Sequence, residues 1–111
     1  MSKGMNDWPA VEAEIERIIS AETQEPFTPE TIVQARDFLQ AVRDRCPLPN
    51  RLCKGYWSTI IFSWSGRLDI EIFADRVETY RFHTGRTDIR HFAHAPGEPF
   101  PPELMNELPA L

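Results

Sequence analysis

The side chains that could bind a metal are three histidines and two cysteines, namely His83, His91, His94, Cys46 and Cys53. All five are acceptable zinc ligands, but the cysteines flank a proline-containing segment and do not form the short knuckle of a zinc ribbon. His91 and His94 are three apart, so on a strand they would face opposite sides of a sheet. The spacing predicts no metal site and no cofactor, and leaves a metal-dependent enzyme using His83, His91 and His94 as the alternative.

Acid–base chemistry has one candidate pattern. Asp69 and Glu71 share one face of a predicted strand, and Arg81 and His83 share a face of the next. A carboxylate beside a histidine could act as a general acid or base, although solvated strand faces commonly have this composition. The serines within 58–65 lack the strand-to-helix elbow of a hydrolase nucleophile, and the glycines are too scattered to bind phosphate. We therefore predict a protein that is not an enzyme.

The bulk composition describes an ordinary folded domain with an acidic balance. The chain has 111 residues, 41% of them hydrophobic, and a net charge of −5. This length fits one domain, and the negative charge disfavours nucleic acid as a direct partner. The first eight residues contain one lysine and no apolar run, and nowhere do ~18 apolar residues run uninterrupted. These features predict a cytoplasmic protein with reduced thiols and no membrane segment. In an oxidising compartment Cys46 and Cys53 could instead close a disulfide loop.

Two helices are predicted in the segment 7–45. Asp7 can cap a helix over 8–22, and Thr28 followed by Pro29 marks the start of a second helix, which Pro47 stops. Each helix has one apolar stripe, formed by Trp8, Val11, Ile15, Ile18 and Ile19 in the first and by Ile32, Ala35, Phe38, Leu39 and Val42 in the second.

From Tyr56 the apolar period changes to two, which is typical of strands. A three-residue turn at 65–67 pairs Trp64 with Leu68 and keeps charged side chains off the apolar face.

A second three-residue turn at 74–76 would pair Ile70 with Tyr80 and place Asp69 opposite Arg81. A weaker fourth strand is expected at 87–92, followed by a proline-rich tail.

These elements predict a single α+β domain covering residues 1–111. Its helical part is 7–45, its antiparallel sheet is 56–92, and its tail is 96–111. The two N-terminal helices should pack on one face of a three- or four-stranded antiparallel meander, because this arrangement buries both apolar surfaces.

Part of this pattern is similar to a group of small, uncharacterised bacterial proteins with a helical N-terminal part, a Leu-Pro connector and a strand ending in Trp before a turn. Some of them are encoded near toxin–antitoxin-like genes. The matching residues lie between 48 and 82 and are Leu48, Pro49, Ile60, Phe62, Trp64, Gly66, Leu68 to Ile72, Val77, Tyr80 and Phe82. The resemblance implies the α+β fold and assigns no catalytic residue.

The other face of the sheet supplies the functional hypothesis. Trp57 and Ile61 should point away from the helices, where they would form a docking patch unless the tail covers them. We therefore predict a non-enzymatic protein that acts by protein–protein contact, either by self-association as a homodimer or by inhibitor-like or antitoxin-like capture of a partner. The predicted contact residues are Trp57, Ile61, Asp69, Glu71 and Arg81.

Overall fold

The computed structural model describes residues 5–111 as an α+β fold. The elements are α1 (Trp8–Ser20), α2 (Pro29–Val42), β1 (Arg51–Lys54), β2 (Ile60–Trp64), β3 (Leu68–Ile72), β4 (Arg76–His83), β5 (Arg86–Ala93) and α3 (Pro102–Met105). The strands form one antiparallel meander in the order β1-β2-β3-β4-β5. The predicted architecture is confirmed, but the sheet has five strands and not three or four. None of the helices in this described part has the length and apolar character needed to cross a membrane.

Both helices begin at the predicted caps. The Asp7 carboxylate accepts a hydrogen bond from the backbone N–H of Ala10 at 2.9 Å, and the Thr28 hydroxyl accepts one from Thr31 at 3.2 Å. Pro29 occupies the first turn of α2, where a missing N–H costs nothing. Helix α1 ends at Ser20, two residues before the predicted end.

The core lies between the helices and one face of the sheet, which we call the inner face. Phe38 of α2 meets Phe62 of β2 edge to face, with ring centroids 5.0 Å apart. The residues with no exposed surface include Val11, Ile15, Phe38, Val42, Ile60, Phe62, Ile70, Ile72 and Val77. The face of the sheet that points away from α1 and α2 is the outer face.

Strand β1 was not predicted, because the segment after the Leu-Pro connector has almost no apolar pattern. Leu52 is its only core residue, and its neighbours Arg51, Cys53 and Lys54 are exposed or half-buried. The strand forms because its backbone pairs with β2, with Leu52 opposite Phe62. The sheet therefore begins at Arg51 and not at Tyr56.

The first hairpin has the predicted register, with Trp64 opposite Leu68 and Phe62 opposite Ile70. The second does not. Ile72 lies opposite Val77, so four residues separate the members of the closing pair in place of the predicted three. The guanidinium of Arg76, the first residue of β4, lies 3.8 Å from the centre of the Phe73 ring.

This one-residue shift moves every β4 side chain to the opposite face. Asp69 lies opposite Tyr80 and not Arg81, so the predicted Asp69–Arg81 pair is wrong. Arg81 lies opposite Leu68 on the inner side. The apolar residues of β4 do not all face the same side of the strand, because Val77 is odd-numbered and Tyr80 and Phe82 are even-numbered. The two-residue period therefore does not define the register of β4.

The C-terminal segment packs on the inner side of the sheet. Phe100 contacts Phe38 at a centroid distance of 5.4 Å, and Leu104 of α3 is fully buried in the same core. The alternative in which the tail covers the outer face is therefore wrong. The fourth predicted strand does form, as the eight-residue β5.

Candidate functional site

The three histidines occupy separate environments. His83 pairs with Asp88 at 2.9 Å, and His91 pairs with Glu78 at 2.9 Å on the outer face. Within residues 5–111, histidines, cysteines and carboxylates form no group of three or more that could hold a metal. The metal-dependent alternative requires these histidines to converge, and the structure does not bring them together.

His94 is a buried structural residue. Its Nδ1 bonds to the side-chain oxygen of Gln34, and its Nε2 lies 2.9 Å from the carbonyl oxygen of Glu98. The ring also stacks on Phe100 with centroids 4.1 Å apart. Gln34 in turn donates to the carbonyl oxygen of His94 at 2.8 Å, so this network fixes the chain after β5 against α2.

One row of directly opposed residues crosses the outer face from β1 to β5 and contains Cys53, Ile61, Glu71, Glu78 and His91. Two carboxylates occupy its centre, and both are almost fully buried, with Glu71 8% and Glu78 7% exposed. Carboxylates that oppose each other so closely destabilise a sheet unless they are bridged.

Tyr80 provides the bridge between these carboxylates. Its hydroxyl lies 2.9 Å from Glu71 Oε1 and also bonds to Glu78 Oε1, so one proton is shared between two acceptors. Burial together with the hydrogen bonds to Glu78 and Glu71 raises the pKa of Tyr80 far above its usual value. The phenol therefore remains a hydrogen-bond donor at neutral pH.

Glu78 has the strongest set of donors. Arg76 Nε lies 2.7 Å from Glu78 Oε2, and His91 contacts the same oxygen. Burial alone would raise the pKa of Glu78, but the hydrogen bonds from Arg76, Tyr80 and His91 outweigh it and lower that pKa. This carboxylate is therefore ionised at neutral pH.

The loop between β1 and β2, residues 55–59, packs onto this cluster. Thr59 donates its hydroxyl hydrogen to Glu71, and the Gly55 N–H bonds to the Thr59 carbonyl oxygen at 2.8 Å. A Cβ atom at Gly55 would lie 2.7 Å from Glu71 Oε2 and 2.1 Å from the Thr59 hydroxyl oxygen. A larger residue at Gly55 would have to displace the Glu71 carboxylate and the Thr59 hydroxyl.

The far side of this loop is fixed to the connection between the helices. The Ser58 hydroxyl donates to the carbonyl oxygen of Glu25 at 2.9 Å. Ser58 adopts a φ of 57°, a left-handed conformation that is uncommon for a residue with a side chain. Such strain persists where the surrounding contacts define the backbone, and here both ends of the loop are anchored.

The tip of the anchored loop presents two aromatic side chains to solvent. Tyr56 is 81% exposed and Trp57 is 70% exposed. Their rings meet edge to face, with centroids 4.7 Å apart. The other two tryptophans, Trp8 and Trp64, are buried. We call Tyr56 and Trp57 the aromatic tip, and it is the feature of the described residues best suited to contact another molecule.

No protein-family model matches this chain, and no curated protein or solved structure is significantly similar to it. The resemblance in the segment 48–82 therefore stays an expectation. The site has to be interpreted from its own geometry.

The five predicted contact residues do not form one patch. Ile61 is half-buried on the outer face, and Glu71 is held inside the hydrogen-bonded cluster. Asp69 lies on the outer face, in a groove beside Ser63, whose buried hydroxyl has no hydrogen-bond partner among residues 5–111. Arg81 lies on the other face and donates to the Glu107 carbonyl oxygen at 2.6 Å. Trp57 lies in the loop and not on a strand.

Tyr56, Tyr80 and Glu78 are site residues that the sequence pattern does not predict. The predicted β4 register places Tyr80 in the core, whereas the observed register places it on the outer face and sets Glu71 opposite Glu78. One sequence signal was available, since Gly55 directly precedes two adjacent aromatic residues and a serine. Glycine at the start of a short connection often marks a close approach of the backbone.

Proposed function

We propose that this protein is a non-enzymatic binding module that captures a partner protein through the aromatic tip. The observation that carries the proposal is the large exposure of Tyr56 and Trp57 on a loop anchored at both ends. Tyrosine and tryptophan are the residues most enriched in the energetically dominant centres of protein interfaces. Exposing both together has a solvation cost that binding would offset.

The anchoring of the loop favours binding. Gly55 packs against Glu71, and Ser58 bonds to the helix connection, so the loop is ordered before any partner arrives. Ordering a loop on association costs free energy, and a preformed loop avoids that cost. On this account the cluster of Glu71, Tyr80 and Glu78 positions the tip.

The acidic balance of the chain favours a basic partner, since the net charge is −5. One exposed carboxylate adjoins the loop, because the Glu25 carbonyl oxygen accepts a hydrogen bond from Ser58 and the Glu25 side chain is exposed. An arginine or lysine of the partner would stack on the Trp57 ring and be attracted by this carboxylate. Inhibitor-like or antitoxin-like capture of a basic surface is the specific form we propose.

The test is a titration monitored by fluorescence anisotropy, with a labelled oligoarginine peptide as the probe. Trp57→Ala should weaken binding at least about fivefold, the equivalent of an anchor worth ~1 kcal/mol. Phe82→Ala removes another exposed aromatic ring, on β4, and should leave the affinity unchanged. Equal affinities for the wild type and Trp57→Ala would contradict the role of the tip.

A charge-matched pair tests the acidic border. Glu25→Lys and Glu103→Lys change the net charge equally at exposed positions, but Glu25 adjoins the loop and Glu103 lies in α3. Glu25→Lys should weaken peptide binding more than Glu103→Lys, and the difference should shrink at high salt. Equal effects would mean that the peptide responds only to total charge.

A further inference from the structure

The free edge of β5 has the features of a pairing surface. Within residues 5–111, β5 pairs on one side only, with β4. It is eight residues long, and all of its side chains from Arg86 to His91 are exposed. Edge strands are usually short or carry proline or charged side chains; β5 is long and has no proline, and its charged side chains are of both signs, Arg86, Asp88 and Arg90. The opposite edge, β1, has four residues and follows Pro49.

The hydrogen bonds between β4 and β5 show which backbone groups of β5 point outward. The closing pair of the β4–β5 hairpin is His83 with Arg86, across a two-residue turn. The His94 N–H bonds inward, to the Asp75 carbonyl oxygen at 3.0 Å. Since antiparallel pairs alternate, the even-numbered residues of β5 bond to β4, and the N–H and C=O groups of Thr87, Ile89 and His91 face the free edge.

The outward groups limit the ways in which β5 could pair with a second copy of itself. In an antiparallel pair, a residue whose N–H and C=O face the free edge must lie opposite another such residue. Since these residues are all odd-numbered, the two-fold axis that relates the two copies has to pass through a residue and not between two residues. The longest ladders have the axis at Ile89 or at Arg90. An axis at Arg90 places that guanidinium opposite its own copy, which is repulsive.

An axis at Ile89 gives complementary pairs. Asp88, which contacts His83 within its own chain, then lies opposite Arg90 of the second copy, and this opposition of charges occurs twice. Ile89 lies opposite Ile89, a residue that is 52% exposed in the single chain. Arg86 lies opposite Phe92, whose ring already has the Arg90 guanidinium of its own chain 5.0 Å from its centre. An axis at Asp88 would instead oppose Asp88 with itself and give a shorter ladder.

We propose that β5 pairs antiparallel with β5 of a second copy about a two-fold axis at Ile89, joining two sheets into one. The pairing uses an edge of the sheet that is separate from the aromatic tip, so it does not depend on the proposed capture of a basic partner. In the dimer each copy keeps its own tip, and the assembly becomes bivalent. A target with two basic sites would be bound more tightly by both tips together.

The test is the mass in solution, measured by sedimentation equilibrium up to about 100 µM protein. The wild type should approach twice the chain mass of 12.8 kDa. Asp88→Arg and Arg90→Asp should each be monomeric, because each places like charges opposite each other. The double variant, with both substitutions, restores the ion pairs and should restore the dimer. Circular dichroism checks that all variants remain folded.

Two results would overturn the pairing. One is a wild type that stays monomeric at the highest concentration. The other is a dimer that both single charge variants retain, since that dimer would use another surface. If Trp57→Ala removes such a dimer, the aromatic tip is the self-association surface and both proposals fail together. If Trp57→Ala loses peptide binding but still forms the dimer, the result supports both the capture by the aromatic tip and the pairing through β5.

Discussion

The hydroxyl of Tyr80 lies 2.9 Å from Oε1 of Glu71 across the β3–β4 pair. The same hydroxyl contacts Glu78, so a single phenol separates two buried carboxylates on the outer face. Because Glu71 also accepts a hydrogen bond from Thr59, this contact connects the sheet to the loop that presents the aromatic tip. The stability of the cluster and the presentation of the tip are therefore coupled.

Removing the bridging hydroxyl should destabilise the fold. Tyr80→Phe leaves Glu71 and Glu78 opposite each other without the shared proton, and we expect a loss of about 1–3 kcal/mol in the free energy of unfolding. Tyr56→Phe is the matched control, because its hydroxyl lies in an exposed loop, and it should change stability by less than about 0.5 kcal/mol. Urea denaturation of both variants measures the difference. Equal losses would mean that Tyr80 does not bridge the carboxylates.

The lowered pKa of Glu78 predicts a specific loss of stability in acid. A carboxylate whose pKa is lower in the folded chain than the usual value of 4.5 stabilises the fold above that pH. The contribution is lost as the pH falls through the folded value. The stability difference between the wild type and Glu78→Gln should therefore be largest near neutral pH and shrink below about pH 4.5.

Thermal unfolding of Glu78→Gln across roughly pH 3 to 7 measures that dependence. Glu22→Gln is the control, because Glu22 is exposed in the helix connection and its removal should leave the pH profile of the wild type unchanged. A constant difference between the wild type and Glu78→Gln at every pH would contradict the assignment.

A methyl group at Gly55 should disturb both the loop and the fold. Gly55→Ala places Cβ against Glu71 and the Thr59 hydroxyl, and overpacking of this kind costs about 1–3 kcal/mol. Acrylamide quenching of tryptophan should also change, because Trp57 is the exposed tryptophan on the displaced loop. Gly85→Ala is the control. Gly85 has open space but a φ of +80°, so its variant should lose about 1–2 kcal/mol from strain and show wild-type quenching.

The two cysteines should differ in reactivity. Both are free thiols, and Cys46 is buried beneath the end of α2, where burial raises its pKa to about 11. Burial also raises the pKa of Cys53, which is only half-buried. At pH 8 a thiol reagent should label Cys53 slowly and Cys46 only after unfolding. Peptide mass spectrometry identifies the labelled residue, and rapid labelling of Cys46 in the folded protein would contradict the burial.

Much of the architecture was predictable from local signals. Asp7, Thr28 and Pro29 start the helices because a side-chain cap and a fixed φ act within one turn. The β2–β3 register followed from the need to keep Arg67 and Asp69 off the apolar face. Each of these signals depends on neighbours that are close along the chain.

The remaining features depend on contacts that the local pattern does not encode. Strand β1 has one core residue and forms because its backbone pairs with β2. In the observed β4 register the side chains of Glu71, Glu78 and Tyr80 meet across strands, while the apolar residues of β4 lie on both faces. Trp57 is predicted on a strand because its spacing from Ile61 fits the two-residue period of β2. In the structure it precedes β2 and lies in the loop.

The indole N–H signals of the three tryptophans test most directly whether Trp57 contacts the partner. Trp64 donates its indole N–H to the Pro47 carbonyl oxygen at 2.9 Å, and Trp8 is buried, so both serve as internal references. In a titration of isotope-labelled protein with the oligoarginine peptide, followed by two-dimensional NMR, the Trp57 signal should shift and saturate while the Trp8 and Trp64 signals stay in place. If the peptide binds and the Trp57 signal does not move, the aromatic tip is not the binding site.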